Sequence, residues 1–412
     1  MNDYNPRNTE HRLFFFDNLR YLIIILVVLI HAAAAYSQFS TLWCVRETSS
    51  GLCDGVLLLL DVFIMPSLFF ISGYFIEVSL DRHGFYSFIN NKMRKLGIPL
   101  LVSLPLVGPV FTFIYAYTKN GFKSPSSFAH HWIISIKDAF SFEIKILSTS
   151  TYFKQSHLWF ISLLLIFFII FAIKDKLFTN HYSRYLKLKN KKLPSNSSVL
   201  LILFITLMSS ALPMYYISRL YGPTSDPEPW IIFGFILQVQ LTRLPIYFVY
   251  FVLGIYTNRN HWFKNDLITR HPFFWSAVSI IFTLVYYVML HGYMNILFMH
   301  FLLYCLIRSA YCLVCLMTLI SIEYNYNNNS GILNSVFSKN SFYIYLIHFF
   351  IVIILQLIMT NWSNGPSVIK FAVISLSSVI ISLLISNYVI KPYPKLSICG
   401  LYAIFGLMLV YL

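Results

Sequence analysis

Long apolar runs separated by short polar stretches dominate this chain. Ten of them, at roughly 19–36, 56–78, 98–117, 158–173, 199–216, 231–256, 273–290, 296–320, 342–359 and 368–390, are each near the length needed to cross a bilayer, about 20 residues per helix. The expected fold class is all-α: a polytopic transmembrane helix bundle of about ten spans, one integral membrane domain over 1–412 with a short cytoplasmic tail at 1–18. The run 231–256 is over-long and broken by Pro245, which suggests a short re-entrant piece followed by a true span. The tail Leu401–Leu412 is apolar but too short to cross alone, so an interfacial or half-inserted segment is expected there. At the other end, the apolar stretch Leu19–Tyr36 outruns a signal h-region and lacks a small-residue cleavage site, so it is expected to stay as the first helix.

Composition agrees, since 58% of residues are hydrophobic and 11% charged. A soluble surface needs about 25% charged residues. The net charge of +15 is read topologically. With the N-terminus inside, inner segments hold 20 of the 30 Lys and Arg and outer segments 8, while Arg243 and Arg308 fall within spans. An inner excess of this kind predicts an N-in, C-in arrangement. The same charge suits anionic lipid, with a smaller share for a polyanionic substrate such as coenzyme A, and nucleic acid is not an expected partner. Cys44 and Cys53 share the short loop after the first helix and would be able to pair if that loop faces an oxidising compartment. The outer loop 118–156 carries a weakly amphipathic stretch, Trp132–Leu147, suited to an interface. No inverted repeat of the transporter kind is visible.

The first span, RLFFFDNLRYLIIILVVLIHAAAAYS, holds the strongest chemical signal. An ionisable group inside a membrane helix is costly, so each one is a candidate for function. Arg20 and His31 are eleven residues apart, close to three helical turns, and share one face. Asp17 lies near the same stripe and can pair with Arg20 at i,i+3. A neutral imidazole at His31 could take a proton from an alcohol. Equally, His31 could be hydrogen-bonded between helices with Arg20 as an interfacial anchor.

Arg20-x10-His31 resembles the R-x10-H signature of the membrane acyltransferase 3 family. MPSLFFISGYF (Met65–Phe75), KMRKLGIPLL (Lys92–Leu101), HLWFISLLLIF (His157–Phe167), LPIYFVYFVLGIY (Leu244–Tyr256) and SFYIYLIHFFIVIILQ (Ser341–Gln356) resemble further family motifs, in order along most of the chain. The nearest type is the glucans biosynthesis protein C group, similar to glucan succinyltransferases. The family often has Arg-x-x-Arg before the third span, whereas Lys92 and Lys95 flank Arg94 here; lysine keeps the charge but not the planar fork that grips phosphate.

The resemblance implies an O-acyltransferase of the bacterial inner membrane, moving acetyl or succinyl from acyl-CoA to a hydroxyl of an extracytoplasmic glycan. No permanently bound cofactor or metal is expected. His31 and Arg20 would be catalytic, with donor phosphates near Arg20, Lys92, Arg94 and Lys95. Supporting positions would be Asp17, Asp61, His348 and the Ser72-Gly73-Tyr74 run, the last serving equally as a tight helix-packing point. Arg243 beside Gln238 and Gln240 hints at a polar cavity, while His157 beside Trp159 reads as packing at the outer membrane edge. His261-x4-Asp266 matches a different acyltransferase pattern, but 12 His and 9 Asp in 412 residues make one such match unsurprising. The alternative function is a transporter or flippase for a glycan or lipid-linked precursor, with Arg20, Asp61 and His31 lining its path.

Overall fold

The computed structural model describes residues 13–123, 126–146, 151–178, 194–220, 230–264, 269–292, 299–329 and 331–411. The N-terminal residues through Arg12, most of the basic loop 174–196, Leu147 and Asp266 lie outside them.

Among the described residues, twelve helices make up nearly all of the structure. They are α1 Phe14–Ala34, α2 Gly51–His83, α3 Phe85–Lys119, α4 Phe128–Ala139, α5 Ser156–Phe178, α6 Asn196–Leu220, α7 Leu244–Arg259, α8 Pro272–Gly292, α9 Met299–Tyr326, α10 Ile332–Thr360, α11 Ser367–Ile390 and α12 Pro394–Tyr411. All but α4 and α7 are long and apolar enough to cross a membrane, which makes this a multi-pass membrane protein.

The number ten holds, but its members differ from expectation. The run 231–256 is split: its first part is a β-hairpin, Trp230–Phe233 (β2) and Leu237–Gln240 (β3), and α7 follows with 16 residues. A third strand, Ile144–Ile146 (β1), pairs antiparallel with β2, in the order β1-β2-β3. This sheet is the departure from an all-helical chain. Gly234 makes the hairpin possible, since it adopts φ +49° and a side chain there would press on Ala139 O. The tenth long helix is instead α12, where an interfacial tail was expected. Lys395, one of the basic residues behind the N-in, C-in expectation, is the second residue of α12.

α7 runs parallel to α2, tied to it at both ends. Arg243, just before α7, pairs with Asp61, and Arg259 at its end pairs with Glu77. Both steps span 16 residues, about 24 Å of helix. Between them the backbones touch: a Cβ on Gly73 would overlap the carbonyl of Phe251, and one on Gly254 the carbonyl of Phe70.

α1 lies against α2, α9, α10 and α11. Helix ends leave amide and carbonyl groups unpaired. Asn328 serves the start of α1, its Oδ1 accepting from the Phe15 amide at 3.1 Å. Gln356 of α10 serves the other end, its Nε2 donating to the carbonyls of His31 (3.0 Å) and Ala32 (3.2 Å). α4 covers part of the stretch expected to lie along an interface. It packs on α3, where the His131 ring meets Thr112 Oγ1 at 2.9 Å, and burial lowers His131 to about 4. Cys44 and Cys53 are both buried and free.

Candidate active site

Four residues along one face of α10, Tyr345, His348, Phe349 and Gln356, organise the region around His31. The spacing of three, four and eleven residues keeps them on one side of the helix. His348 Nδ1 lies 2.7 Å from the carbonyl of Tyr345 and 3.2 Å from that of Ile344. A carbonyl only accepts, so His348 Nδ1 carries the proton and, in the neutral ring, Nε2 is an acceptor. His31 Nδ1 lies 3.0 Å from that Nε2 and must donate to it. The tautomer of His31 follows: Nδ1 is protonated, and Nε2 keeps its lone pair. His31 lines the cavity described below, where such a lone pair can serve as base or nucleophile.

The ring of His31 is held from other sides too. Trp43 stacks on it with centroids 5.4 Å apart and planes 16° apart, and Phe349 meets it edge-on at 5.4 Å. Trp43 is itself fixed, its Nε1 donating to Gln356 Oε1 at 2.8 Å. One glutamine thus positions both the backbone that carries His31 and the indole that covers it.

His157, at the start of α5, is a third buried imidazole in the same cluster. Its ring is 5.2 Å from that of His348 and stacks on Phe349 at 4.6 Å. Its Nε2 donates to the carbonyl of Leu346 at 3.3 Å, and Tyr345 donates to its backbone carbonyl. Nδ1 is buried without a hydrogen-bond partner. The expectation of packing at a membrane edge misses this neighbourhood, which comes from α10, 189 residues on.

These groups border a cavity of about 1000 Å³ lined by the ends of α1, α2, α6, α8 and α9, the loop before α2 and the β2–β3 hairpin. Three tryptophans, Trp43, Trp159 and Trp230, face it, as do Gln238, Gln240 and Arg243, which accords with the polar cavity expected around Arg243. A smaller space of about 140 Å³ shares His31, Asp61, His157 and Arg243 with it and continues to Val27, Ile64 and Met65, one turn below His31.

Of the remaining candidates, Asp61 borders these spaces and the others lie elsewhere. Arg20 pairs with Asp17 at 3.4 Å and lines neither space; eleven residues separate it from His31, about 16 Å along α1. Lys92 and Lys95 are close enough for Lys95 and Arg20 to act electrostatically on Lys92. Lys92 lies over the rings of Phe168 (4.3 Å) and Phe88 (5.2 Å), whereas Arg94 and Lys95 are exposed on a π-helical turn, Met93–Gly97. Ser72, Gly73 and Tyr74 are near the Arg20 end: Tyr74 packs on Phe16, and Gly73 occupies the α2–α7 contact. Asp61 is on the cavity wall, paired with Arg243. Among the described residues no group of three His, Cys, Asp or Glu is placed to hold a metal ion.

A helical bundle with a histidine of fixed tautomer bordering a large cavity, and a basic cluster around Arg20 further along the same helix, has the parts of a multi-pass membrane enzyme. A family model described as an acyltransferase domain, of the acyltransferase 3 family, matches residues 13–387. The chain belongs to that family and is a membrane acyltransferase. No curated protein and no solved structure matches it.

Proposed function

We propose that the protein moves an acyl group from acyl-CoA, bound from the cytoplasmic side, to a hydroxyl of an extracytoplasmic glycan. The observation that carries this is the His348–His31 relay, which leaves Nε2 of His31 unprotonated at the junction of the two spaces. The donor phosphates are assigned to Arg20, Lys92, Arg94 and Lys95, with Asp17 orienting Arg20. The thioester arm reaches His31 through the narrow space past Val27, and the glycan enters the wide cavity, where three indole rings suit stacking on sugar faces.

In the transfer step His31 Nε2 takes the proton of the acceptor hydroxyl as its oxygen attacks the thioester carbonyl. The carbon–sulfur bond breaks, and the departing thiolate takes the proton from Nε2. His348 Nε2 accepts from Nδ1–H throughout and steadies the transient imidazolium, as the third member of a triad does. The same Nε2 could carry the acyl group transiently; a labelled acyl-His31 trapped in the absence of acceptor would distinguish that route. Asp61, paired with Arg243, shapes the wall rather than handling the proton.

Resemblance to the glucan succinyltransferase type makes succinyl or acetyl transfer to periplasmic glucan the first version to test, in a bacterial inner membrane with the N-terminus inside. Mass spectrometry of envelope glycans is the experiment, on cells with wild type, His31→Ala or no protein. A mass increment confined to wild type identifies both acyl group and acceptor. Identical profiles from all three, with the protein expressed, refute glycan acylation. A transporter or flippase would consume no acyl-CoA.

A further inference from the structure

The segment Lys154-Gln155-Ser156-His157 enters α5 in an unusual way. Gln155 is locked: its amide donates to Gln238 Oε1 (2.7 Å), its Nε2 to the carbonyl of Phe235 (2.8 Å), and its Oε1 accepts from Ser162 (2.7 Å). Ser156 adopts φ +50°, a left-handed conformation costly for any residue with a side chain. The three neighbours of Gln155 in this segment line the large cavity, and each brings a buried polar atom without a hydrogen-bond partner: Lys154 Nζ, Ser156 Oγ and His157 Nδ1.

Lys154 is the most demanding of the three. The residue is 2% exposed, and its ammonium faces the rings of Tyr115 (5.1 Å) and Phe111 (5.8 Å). Burial lowers it to about 8, which leaves the charged form favoured at pH 7. Its neighbour Cys44 supplies no counter-charge, because burial pushes that thiol up. Other charges on the cavity wall are engaged. Arg243 is paired with Asp61, Arg308 donates to Tyr304 (3.2 Å), and Asp54 accepts from Ser37 (2.7 Å) and from Gln38. A buried cation with empty donor positions calls for an acceptor.

We propose that Lys154 and Ser156 form an anion subsite in the large cavity, so that one substrate carries a carboxylate or phosphate there. This deepens, and rests on, the acyl-transfer reading. The anion belongs either to the acceptor, as on a uronate or phosphorylated sugar, or to a dicarboxylic acyl group such as succinyl. Lys154 and His31 line the same cavity and are linked by a run of ring contacts: the ammonium over Phe111 (5.8 Å), Phe111 against Trp43 (5.9 Å) and Trp43 against His31 (5.4 Å). This puts the subsite on the wall of the space that holds the reacting hydroxyl. His157, which lines the same cavity, has its buried Nδ1 left as an acceptor because Nε2 donates to Leu346, and this suits a substrate hydroxyl.

The test is equilibrium binding to the purified full-length protein by calorimetry, read as ratios within two probe pairs. One pair is a galacturonate tetrasaccharide and its carboxyl-reduced counterpart. The other is succinyl-CoA and acetyl-CoA, whose shared phosphates cancel in the ratio. Wild type should favour the acidic member of one pair by about tenfold or more. Lys154→Met should bring that ratio near one, Lys154→Arg should keep most of it, and Ser156→Ala should reduce it in part. The pair that responds identifies the source of the anion. A wild-type ratio near one in both pairs overturns the subsite, as does a preference that Lys154→Met leaves intact. If Lys154→Met does not fold, Lys154→Arg and Ser156→Ala decide: a preference unchanged in Ser156→Ala and lost in Lys154→Arg contradicts an anion held by charge and hydroxyl. Binding is read without turnover, so its failure leaves acyl transfer standing. Acidic probe bound through Lys154 by a protein that moves no acyl group would sink the transfer reading instead.

Discussion

Replacing His348 by alanine isolates the relay from the base it serves. The substitution leaves His31 in place but removes the acceptor 3.0 Å from its Nδ1. A buried donor left unsatisfied costs about 1–3 kcal/mol, which the ring escapes by rotating or by moving its proton to Nε2. Either response removes the lone pair from the reacting position. At about 1.4 kcal/mol per factor of ten, kcat should fall roughly five- to a hundredfold. The loss should be smaller than that from His31→Ala, which removes the base outright and should cost at least about a hundredfold. His348→Gln keeps an oxygen that can accept from Nδ1–H and should recover part of the rate. The assay is release of free coenzyme A by purified protein with acceptor present. His348 is fully buried, so thermal unfolding of each variant, followed by fluorescence-detected gel filtration, separates lost chemistry from lost fold. A folded His348→Ala protein within twofold of wild type would refute the relay.

Other substitutions test the scaffold and the donor end. Gly73→Val and Gly254→Val each force a side chain into the backbone of the facing helix and should destabilise by about 3 kcal/mol or more, measured by thermal unfolding; Gly406→Ala, with open space around it, should change stability by less than about 0.5 kcal/mol. Glu77→Gln leaves Arg259 without its partner; because Arg259 is 38% exposed, the loss should stay below about 3 kcal/mol, and replacing both residues by leucine should recover part of it. Arg20→Ala should raise KM for acyl-CoA about tenfold while KM for the acceptor stays within twofold, in steady-state kinetics; equal changes in both would remove Arg20 from the donor site. Gln356→Ala frees Trp43 and the end of α1 together and should lower kcat about tenfold at unchanged donor KM, read in the same kinetics.

Much of this was legible in the sequence, and the failures have physical causes. Nine of the ten apolar runs are long helices because length and hydropathy suffice to mark a span. The run 231–256 misleads because a buried hairpin is also apolar and Pro245 reads as a helix break. Its signals were Gly234 and the alternation that places Gln238 and Gln240 two residues apart, on one face of a strand. On the site, Arg20-x10-His31 locates both residues on one helix. Spacing along α1 cannot show that Arg20 stays with the basic cluster while His31 meets the cavity. His348 was a candidate by its burial in a span. His157 was read only as packing at the outer membrane edge, and Trp43, Gln356 and Lys154 were not singled out, because each is given meaning by a partner far away in the chain. Gln356 closes one of the motif stretches, but nothing in that stretch shows that its side chain reaches back more than 300 residues to the end of α1.

Acyl transfer through His31 is tested most directly by giving the purified protein isotope-labelled acyl-CoA and envelope glycan and following label into the glycan by mass spectrometry. Wild type should label it, and His31→Ala, folded and equally abundant, should label it at least about a hundredfold more slowly. Labelling by His31→Ala at the wild-type rate would contradict the mechanism.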